Sequence, residues 1–242
     1  MKNTKEPAAI KRYIEIKHNQ INISLALSAL TLMLLGMSRP AGAETLYSLN
    51  DLGPISEVGA DNLHINNSGQ VIGTSVSAMN SFRTAPNSPI NQETDDLGNL
   101  GGGNSYARGI NKSGQVVGDS GTASREFHAF RTAPNSLINP ETDDLGTLGG
   151  GNSYARGINK SGQVVGDSGT ASGEFHAFRT APNSPINPET DDLGTLGGRS
   201  VTVGGDISSS ANDINESGQV VGFSRTAGTP QVPARVSASN FV

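Results

Sequence analysis

The chain contains no cysteine and no tryptophan, and its aromatic residues are only 7 Phe and 4 Tyr among 242 residues. The lack of cysteine excludes disulfides, thiol catalysis and thiolate-bound metals. After residue 43 there is no sustained helical period of apolar residues and no long apolar run. We therefore predict that this part of the chain is all-β and has no membrane span.

Positive charge is also scarce. The chain has 17 Lys and Arg against 22 Asp and Glu, and six of the former and two of the latter precede Glu44. The part from Glu44 onward keeps 11 basic and 20 acidic residues, a net charge of −9. Affinity for phosphate comes largely from Lys and Arg, so we expect neither nucleic acid nor anionic lipid as a partner.

Residues 1–43 have the three parts of a secretion signal. Basic residues are frequent at the start, Ile21–Met37 is apolar, and Ala41-Gly42-Ala43 offers a small-residue cleavage site. The alternative is a membrane anchor, but the apolar run is shorter than the roughly 20 residues that a bilayer requires. We predict cleavage after Ala43 and a secreted product, periplasmic or extracellular.

The rest of the chain is repetitive. Residues 95–142 and 143–190 are almost the same 48 residues, and they differ only at Asn99/Thr147, Arg125/Gly173 and Leu137/Pro185. Looser copies cover about 51–94 and 191–242, which gives four repeats within residues 44–242. A fixed period of this size indicates a modular array. Repetition also argues against catalysis, because a reaction needs one asymmetric site.

Each repeat contains one copy of a turn motif that reads INKSGQVVG in the two central repeats. Its Asn can bond its own backbone, and its Gly accepts the left-handed conformation of a tight hairpin. We predict strands at Tyr106–Asn111, Gln115–Gly118 and Phe127–Thr132, with a weaker one at Glu141–Leu145. The Asn and Gly markers of the four turns are Asn66 and Gly69, Asn111 and Gly114, Asn159 and Gly162, and Asn215 and Gly218.

Three or four short strands per repeat are typical of a β-propeller blade. Repeat four lacks a DLG motif after its third strand, and Leu46–Gly53 has a DLG motif with no repeat before it. If this N-terminal strand completes the last sheet, no edge is left unpaired. We therefore expect tandem antiparallel sheets that close into a four-bladed propeller. The alternatives are an open stack or β-solenoid, and a homodimer that builds a larger ring.

The strings DLGTLGG, ARGINKSGQVVG and FHAF resemble the bacterial extracellular repeats named HAF repeats after their His-Ala-Phe triplet. The resemblance covers nearly all of residues 46–236 and is most specific in the two central repeats. His128 and His176 belong to the triplet, and we align Ser81 and Pro233 with them in the outer repeats. The resemblance implies an extracellular repeat protein and implies no activity.

Several short motifs resemble catalytic or ligand-binding sequences, but each has a structural explanation. Gly118–Gly121 resembles the surroundings of a serine-protease nucleophile, yet no separate base and acid accompany it. Leu100–Asn104 is interpreted as a turn between repeats rather than a phosphate-binding loop. Of the paired acids Asp95 and Asp96, one is expected to face solvent and one to cap a turn, with calcium binding as the alternative. His128 and His176 are expected to bridge strands. We predict no catalytic residue, cofactor or metal ligand.

These features predict a secreted, non-enzymatic binding or structural module for an extracellular protein or glycan. Loops that recur on a scaffold present similar side chains several times, so weak contacts add through avidity. An alternative is a polysaccharide-acting enzyme that uses the unrepeated residues Glu57, Asp61, His64, Asp206 and Asp213. The predicted ligand-contact residues are Ser124, Arg125, Glu126, Ser172, Glu174, Arg199 and Asp206.

Overall fold

The computed structural model describes residues 51–52, 63–75, 79–197, 208–226 and 232–236. The chain divides into two compact units, Met1–Leu49 and Asn50–Val242, and every described residue belongs to the second. The predicted signal sequence and its cleavage site lie outside the described residues, as do Glu57, Asp61, Arg199 and Asp206.

The described part of the chain has twelve strands and no helix. The strands form four three-stranded antiparallel sheets, one for each repeat, here called sheets one to four. The prediction of an all-β chain with tandem antiparallel sheets is therefore confirmed. No helix in these residues is long and apolar enough to cross a membrane. The strands are β1 (His64–Ile65), β2 (Val71–Thr74), β3 (Ser81–Arg83), β4 (Gly101–Ile110), β5 (Val116–Thr122), β6 (Phe127–Arg131), β7 (Gly149–Ile158), β8 (Val164–Thr170), β9 (Phe175–Arg179), β10 (Ser209–Ile214), β11 (Val220–Ser224) and β12 (Val232–Val236).

The turn motif joins the first two strands of each sheet. Asn111 Oδ1 accepts hydrogen bonds from the N–H groups of Ser113 and Gln115 at 3.0 and 3.1 Å. Gly114 has a φ of 77°, which a side chain would strain. The same left-handed conformation, at 75° to 77°, recurs at Gly69, Gly162 and Gly218. One short string thus specifies the same hairpin four times.

Two predictions of segments between the hairpins were wrong. The Gly-rich stretch near Leu100–Asn104 is the start of β4 rather than a turn. A Cβ on Gly102 would lie 2.4 Å from the carbonyl carbon of Gly121, so glycine allows this close approach of β4 and β5. Glu141–Leu145 is not a strand, since Asp144 alone makes an isolated bridge to Phe130.

The apolar core lies between successive sheets. Ile72 of sheet one packs with Ala107, Val116 and Phe130 of sheet two. Val117 packs in the same way against sheet three, and Val165 against sheet four. Ile72, Val117 and Val165 are fully buried. A three-stranded sheet cannot bury its faces alone, so each sheet depends on its neighbours for stability.

The two outer faces of the array differ in exposure. In sheet one, Val71 and Phe82, the counterparts of Val116 and Phe130, are buried at 7% and 5% exposure. Val221 has the register position of Val117 and Val165 but is 48% exposed, and Ile65, the counterpart of Ile110, is 69% exposed. At the N-terminal side, the Leu52 carbonyl accepts the Ile90 N–H at 2.9 Å and Leu52 packs on sheet one. The described residues therefore form an array of four sheets, and closure into a propeller is not shown by them.

Candidate functional site

The predicted contact loops are tight turns between the second and third strands of sheets two and three. In residues 122–126, the Thr122 hydroxyl donates to the Glu126 carbonyl at 3.1 Å. In residues 170–174, Thr170 makes the same bond to Glu174 at 3.0 Å. We call these two segments the contact turns. Their exposed or half-exposed polar side chains are Ser124, Arg125, Glu126, Ser172 and Glu174.

The contact turns differ at a single residue. Arg125 has a φ of 71° and its counterpart Gly173 a φ of 85°, so both adopt the left-handed conformation. This conformation strains arginine and suits glycine. Arg125 also lines a cleft of about 360 Å³ beside Phe127, whose ring centroid lies 6.2 Å from that of Tyr106. The other lining residues are Gly101, Gly102, Asn104, Gly121, Thr122 and Ala123. Arg125 therefore places a positive charge beside this cleft, whereas Gly173 places no charge in the contact turn of sheet three.

A histidine–aspartate pair lies beside each contact turn. His128 Nδ1 is 2.8 Å from Asp144 Oδ2, and His128 Nε2 is 3.8 Å from Glu126 Oε2. Asp144 Oδ1 also accepts the Gly146 N–H at 2.8 Å. His128 thus joins the third strand of sheet two to the turn of the DLG motif, Asp144–Gly146, which leads into the next repeat. We call this turn the DLG turn. His128 therefore contacts a turn, whereas we expected the triplet histidines to bridge strands.

The other repeats hold versions of this pair. His176 Nδ1 lies 2.9 Å from Asp192 Oδ2, and in repeat one Asn80 Nδ2 donates to Asp96 Oδ2 at 3.0 Å. The pairing registers align Asn80 and Val232 with His128. The expected alignment with Ser81 and Pro233 was therefore wrong by one residue, because a match of short strings cannot locate the strand register.

The pKa values of the first pair shift in opposite directions. The hydrogen bond to Asp144 raises the pKa of His128, which partial burial alone would lower. For Asp144, burial would raise the pKa, but the hydrogen bonds from His128 and Gly146 and the charge of His128 lower it overall. The protonated histidine and the ionised carboxylate therefore stabilise each other.

We predict that the His128–Asp144 pair makes the free energy of unfolding depend on pH, and that His128→Asn removes this dependence. His128 stabilises the folded state fully below the pKa that it has in the unfolded chain, and this stabilisation is lost as pH rises through its raised pKa in the folded chain. The stabilisation by Asp144 is lost as pH falls through its lowered pKa in the folded chain. The pair thus stabilises most between about pH 4 and 6.5. Urea unfolding at pH 5.5 and 8.5 checks this, and we expect wild type to lose roughly 0.5 kcal/mol more than the variant, since solvent screens the pair. Asparagine copies the natural Asn80–Asp96 bond without titrating, so equal losses would contradict the prediction.

A second recurring ion pair has a buried aspartate and a partly exposed arginine. Arg108 Nε bonds to Asp119 Oδ1, and Arg156 Nε bonds to Asp167 Oδ1 at 2.6 Å. Burial raises the pKa of Asp119, against the opposing effects of its hydrogen bond and charge interaction with Arg108. The Ser210 hydroxyl donates to Asp167 Oδ1 at 2.8 Å, which links sheet three to sheet four. Each ion pair joins the first two strands of one sheet, and both aspartates are buried while the arginine side chains are 33% exposed.

The protease-like string around Ser120 belongs to the same buried region. Ser120 is fully buried in β5. Its hydroxyl accepts the Leu100 N–H and donates to the Asn104 carbonyl, both at 2.8 Å. The hydroxyl holds the Gly-rich start of β4 against β5, so the string has a structural role in this arrangement.

The paired acids occupy two different turns. Asp143 is buried rather than facing solvent, and its Oδ2 accepts the Asn139 N–H at 2.8 Å. Asp144 is the one that caps the DLG turn. The expectation that the non-capping acid faces solvent was therefore wrong, because that acid closes the preceding turn. Within the described ranges, no group of three or more His, Cys, Asp or Glu side chains could hold a metal ion.

The unrepeated candidates lie on other sheets. His64 is exposed on β1 of sheet one, and Asp213 is exposed on β10 of sheet four. Comparisons with protein-family models, curated proteins and solved structures find no match to this chain. The geometry of the contact turns is therefore the basis for inferring a function.

Proposed function

We propose that the chain is a secreted, non-enzymatic binding module that presents its contact turns to an extracellular glycan or protein. One observation carries this proposal: two turns with the same internal hydrogen bonds occur in adjacent sheets and expose their side chains. Two similar sites on one compact array let weak contacts add through avidity.

The cleft beside Arg125 favours a glycan over a protein as the ligand. Phe127 offers an apolar surface, and the main chain of Gly101 and Gly102 borders the same space. A small apolar area with a few polar groups is typical of a ligand site. The guanidinium of Arg125 would bind a carboxylate or phosphate group. We therefore propose an acidic glycan as the first ligand to test.

The proposal also includes two predictions that are supported by the sequence alone, export and family membership. Export with cleavage after Ala43 places the module outside the cytoplasm, and membership of the HAF-repeat family is supported by the DLGTLGG, SGQVVG and FHAF strings. For the array itself, the 48% exposure of Val221 on sheet four supports an open stack over a four-bladed propeller.

Exchanging residues between the two turns tests the proposal. Arg125→Gly makes the contact turn of sheet two resemble that of sheet three, and should raise the unfolding free energy by about 0.5–1 kcal/mol because the strain disappears. The same variant should lose at least about tenfold in affinity for acidic glycans. Gly173→Arg should do the reverse, with lower stability and tighter binding. Urea unfolding and an array of acidic and neutral polysaccharides provide the two measurements.

The difference between Leu137 and Pro185 supplies the control. Leu137→Pro copies Pro185 at an exposed position outside the contact turns and should leave glycan binding unchanged. If wild type binds no acidic glycan, or if Arg125→Gly binds as well as wild type, the proposed ligand site is wrong.

A further inference from the structure

Two of the three differences between the central repeats fall at one place, the cleft beside Arg125. Arg125 itself lines this cleft, and its counterpart in sheet three is Gly173. Asn99, the counterpart of Thr147, accepts through Oδ1 the N–H of Gly101 in the cleft wall at 2.8 Å. The third difference does not line the cleft. Since the repeats are otherwise identical, this cleft and its counterpart in sheet three are the places where they have diverged.

The counterpart in sheet three lies directly beside the cleft. We call it the sister surface, around Asn152, Gly173 and Phe175. Asn152 Oδ1 accepts the N–H of Phe127, a residue of the cleft, at 2.8 Å. Glu126 is also at this boundary, since a Cβ on Gly151 would lie 2.9 Å from Glu126 Oε1. The cleft and the sister surface therefore follow one another, and a chain of linked sugars can contact both.

An aromatic pair recurs on the two surfaces. The ring centroids of Tyr106 and Phe127 are 6.2 Å apart, and those of Tyr154 and Phe175 are 6.1 Å apart. All four side chains are half-buried, so part of each pair is accessible. Aromatic rings offer a large rigid apolar area against which the apolar face of a sugar can pack. The two surfaces are thus alike in apolar character, and charge distinguishes them.

The charges of the two surfaces are opposite. Arg125 is exposed beside the cleft, whereas Gly173 supplies no cation to the sister surface. The Glu126 side chain is 47% exposed at the boundary, and the Glu174 side chain is 25% exposed in the contact turn of sheet three. A guanidinium binds a carboxylate, and like charges placed together exclude a wrong partner. An acidic sugar is therefore favoured in the cleft and opposed on the sister surface.

We infer that the ligand is a linear glycan in which acidic and neutral sugars alternate, with an acidic sugar beside Arg125 and a neutral one on the sister surface. This inference rests on the proposed function and adds the order of charges along the ligand. A polymer that carries a carboxylate on every sugar would bring one of them close to Glu126 and Glu174, and that repulsion provides the specificity.

Two probes of opposite charge pattern test the inference. In hyaluronan a uronic acid alternates with a neutral N-acetylhexosamine, whereas in polygalacturonate every sugar carries a carboxylate. Isothermal titration calorimetry with oligosaccharides of equal length should show hyaluronan binding at least about tenfold more tightly. Gly173→Arg should raise the affinity for polygalacturonate at least about tenfold and that for hyaluronan by less, because the added cation faces a neutral sugar.

A second variant keeps the test independent of the strain that an arginine brings to the contact turn. Glu126→Gln removes the charge at the boundary, keeps a hydrogen-bond acceptor for Ser124, and should also narrow the preference for hyaluronan. Glu141→Gln removes the same charge from an exposed site in another turn and should leave the preference unchanged. Circular dichroism should show the wild-type β spectrum for both glutamine variants, since the substituted side chains are exposed.

The outcomes separate this inference from the proposed function. If wild type binds the two polymers equally or prefers polygalacturonate, or if neither Gly173→Arg nor Glu126→Gln narrows the preference, the alternating pattern is wrong while binding of acidic glycans stands. If the polysaccharide array shows no acidic ligand at all, the proposed function is overturned together with this inference.

Discussion

Gly118→Ala is expected to lower the free energy of unfolding by about 3 kcal/mol or more, a large fraction of the stability of a domain of this size. A Cβ at this position would lie 1.8 Å from the Tyr106 carbonyl oxygen and 2.9 Å from its carbonyl carbon. Both atoms belong to the backbone of the paired strand β4. No side-chain rotation can relieve the overlap, so β4 and β5 would have to separate.

Urea unfolding followed by circular dichroism measures this loss, and Gly121→Ala is the matched control in the same strand. At Gly121 the nearest atom to a Cβ is the Gly102 carbonyl oxygen at 3.3 Å, which a small shift can relieve. We expect this control to cost less than about 1 kcal/mol. Gly166→Ala should repeat the large loss, because its Cβ would meet the Tyr154 carbonyl oxygen at 1.8 Å. A near-neutral Gly118→Ala would show that β4 and β5 do not pair as described.

The importance of Gly118 illustrates what one strand's sequence can and cannot reveal. The turn motif predicted that this glycine ends a strand, whereas β5 continues through it to Thr122. The close contact with Tyr106 arises beside a register shift between Ala107 and Gly109 in the partner strand. A bulge depends on how two strands pair, so the sequence of either strand alone does not show it.

The array of sheets was predictable because the period of the sequence is the folding unit. The same string, SGQVVG, follows the same Asn in each central repeat, and the left-handed glycine follows from it. The ion pair of Arg108 with the buried Asp119 was not predicted, because a charged residue at the end of an apolar string suggests a turn. A signal existed: Arg156 and Asp167 recur at the same spacing in the next repeat, and a charged pair kept at fixed spacing is a candidate ion pair.

The candidate site was predicted in part. The predicted contact residues Ser124, Arg125 and Glu126 are exposed in one contact turn, and their role in binding stays a prediction. The partner of His128 was not predicted, although Asp144 follows it by 16 residues and Asp192 follows His176 by the same number. Spacing alone could not select this aspartate, because its neighbour Asp143 is equally close in sequence but points into another turn. The choice between the two depends on the hydrogen bond that caps the DLG turn.

Asn111→Ala is expected to cost about 2–3 kcal/mol, which is more than the equivalent change Asn215→Ala. The Asn111 amide donates to Gln115 Oε1 at 2.8 Å and across the interface to the Asn159 carbonyl at 3.1 Å. Its side-chain oxygen accepts two further N–H groups in its own turn. Removing this buried side chain leaves several buried groups without partners.

Asn215 provides the matched comparison, because it makes the same bonds within its turn but is exposed on sheet four. Its amide donates to Gln219 Oε1 at 2.8 Å, and its oxygen accepts the N–H groups of Ser217 and Gln219. The difference between the two losses therefore isolates the bond between sheets and its burial, and we expect about 1–2 kcal/mol. Urea unfolding of wild type and both variants measures the two losses. Equal losses would mean that the hydrogen bonds between the turn asparagines of successive sheets add nothing to stability. The sheets would then be held together by their apolar contacts alone.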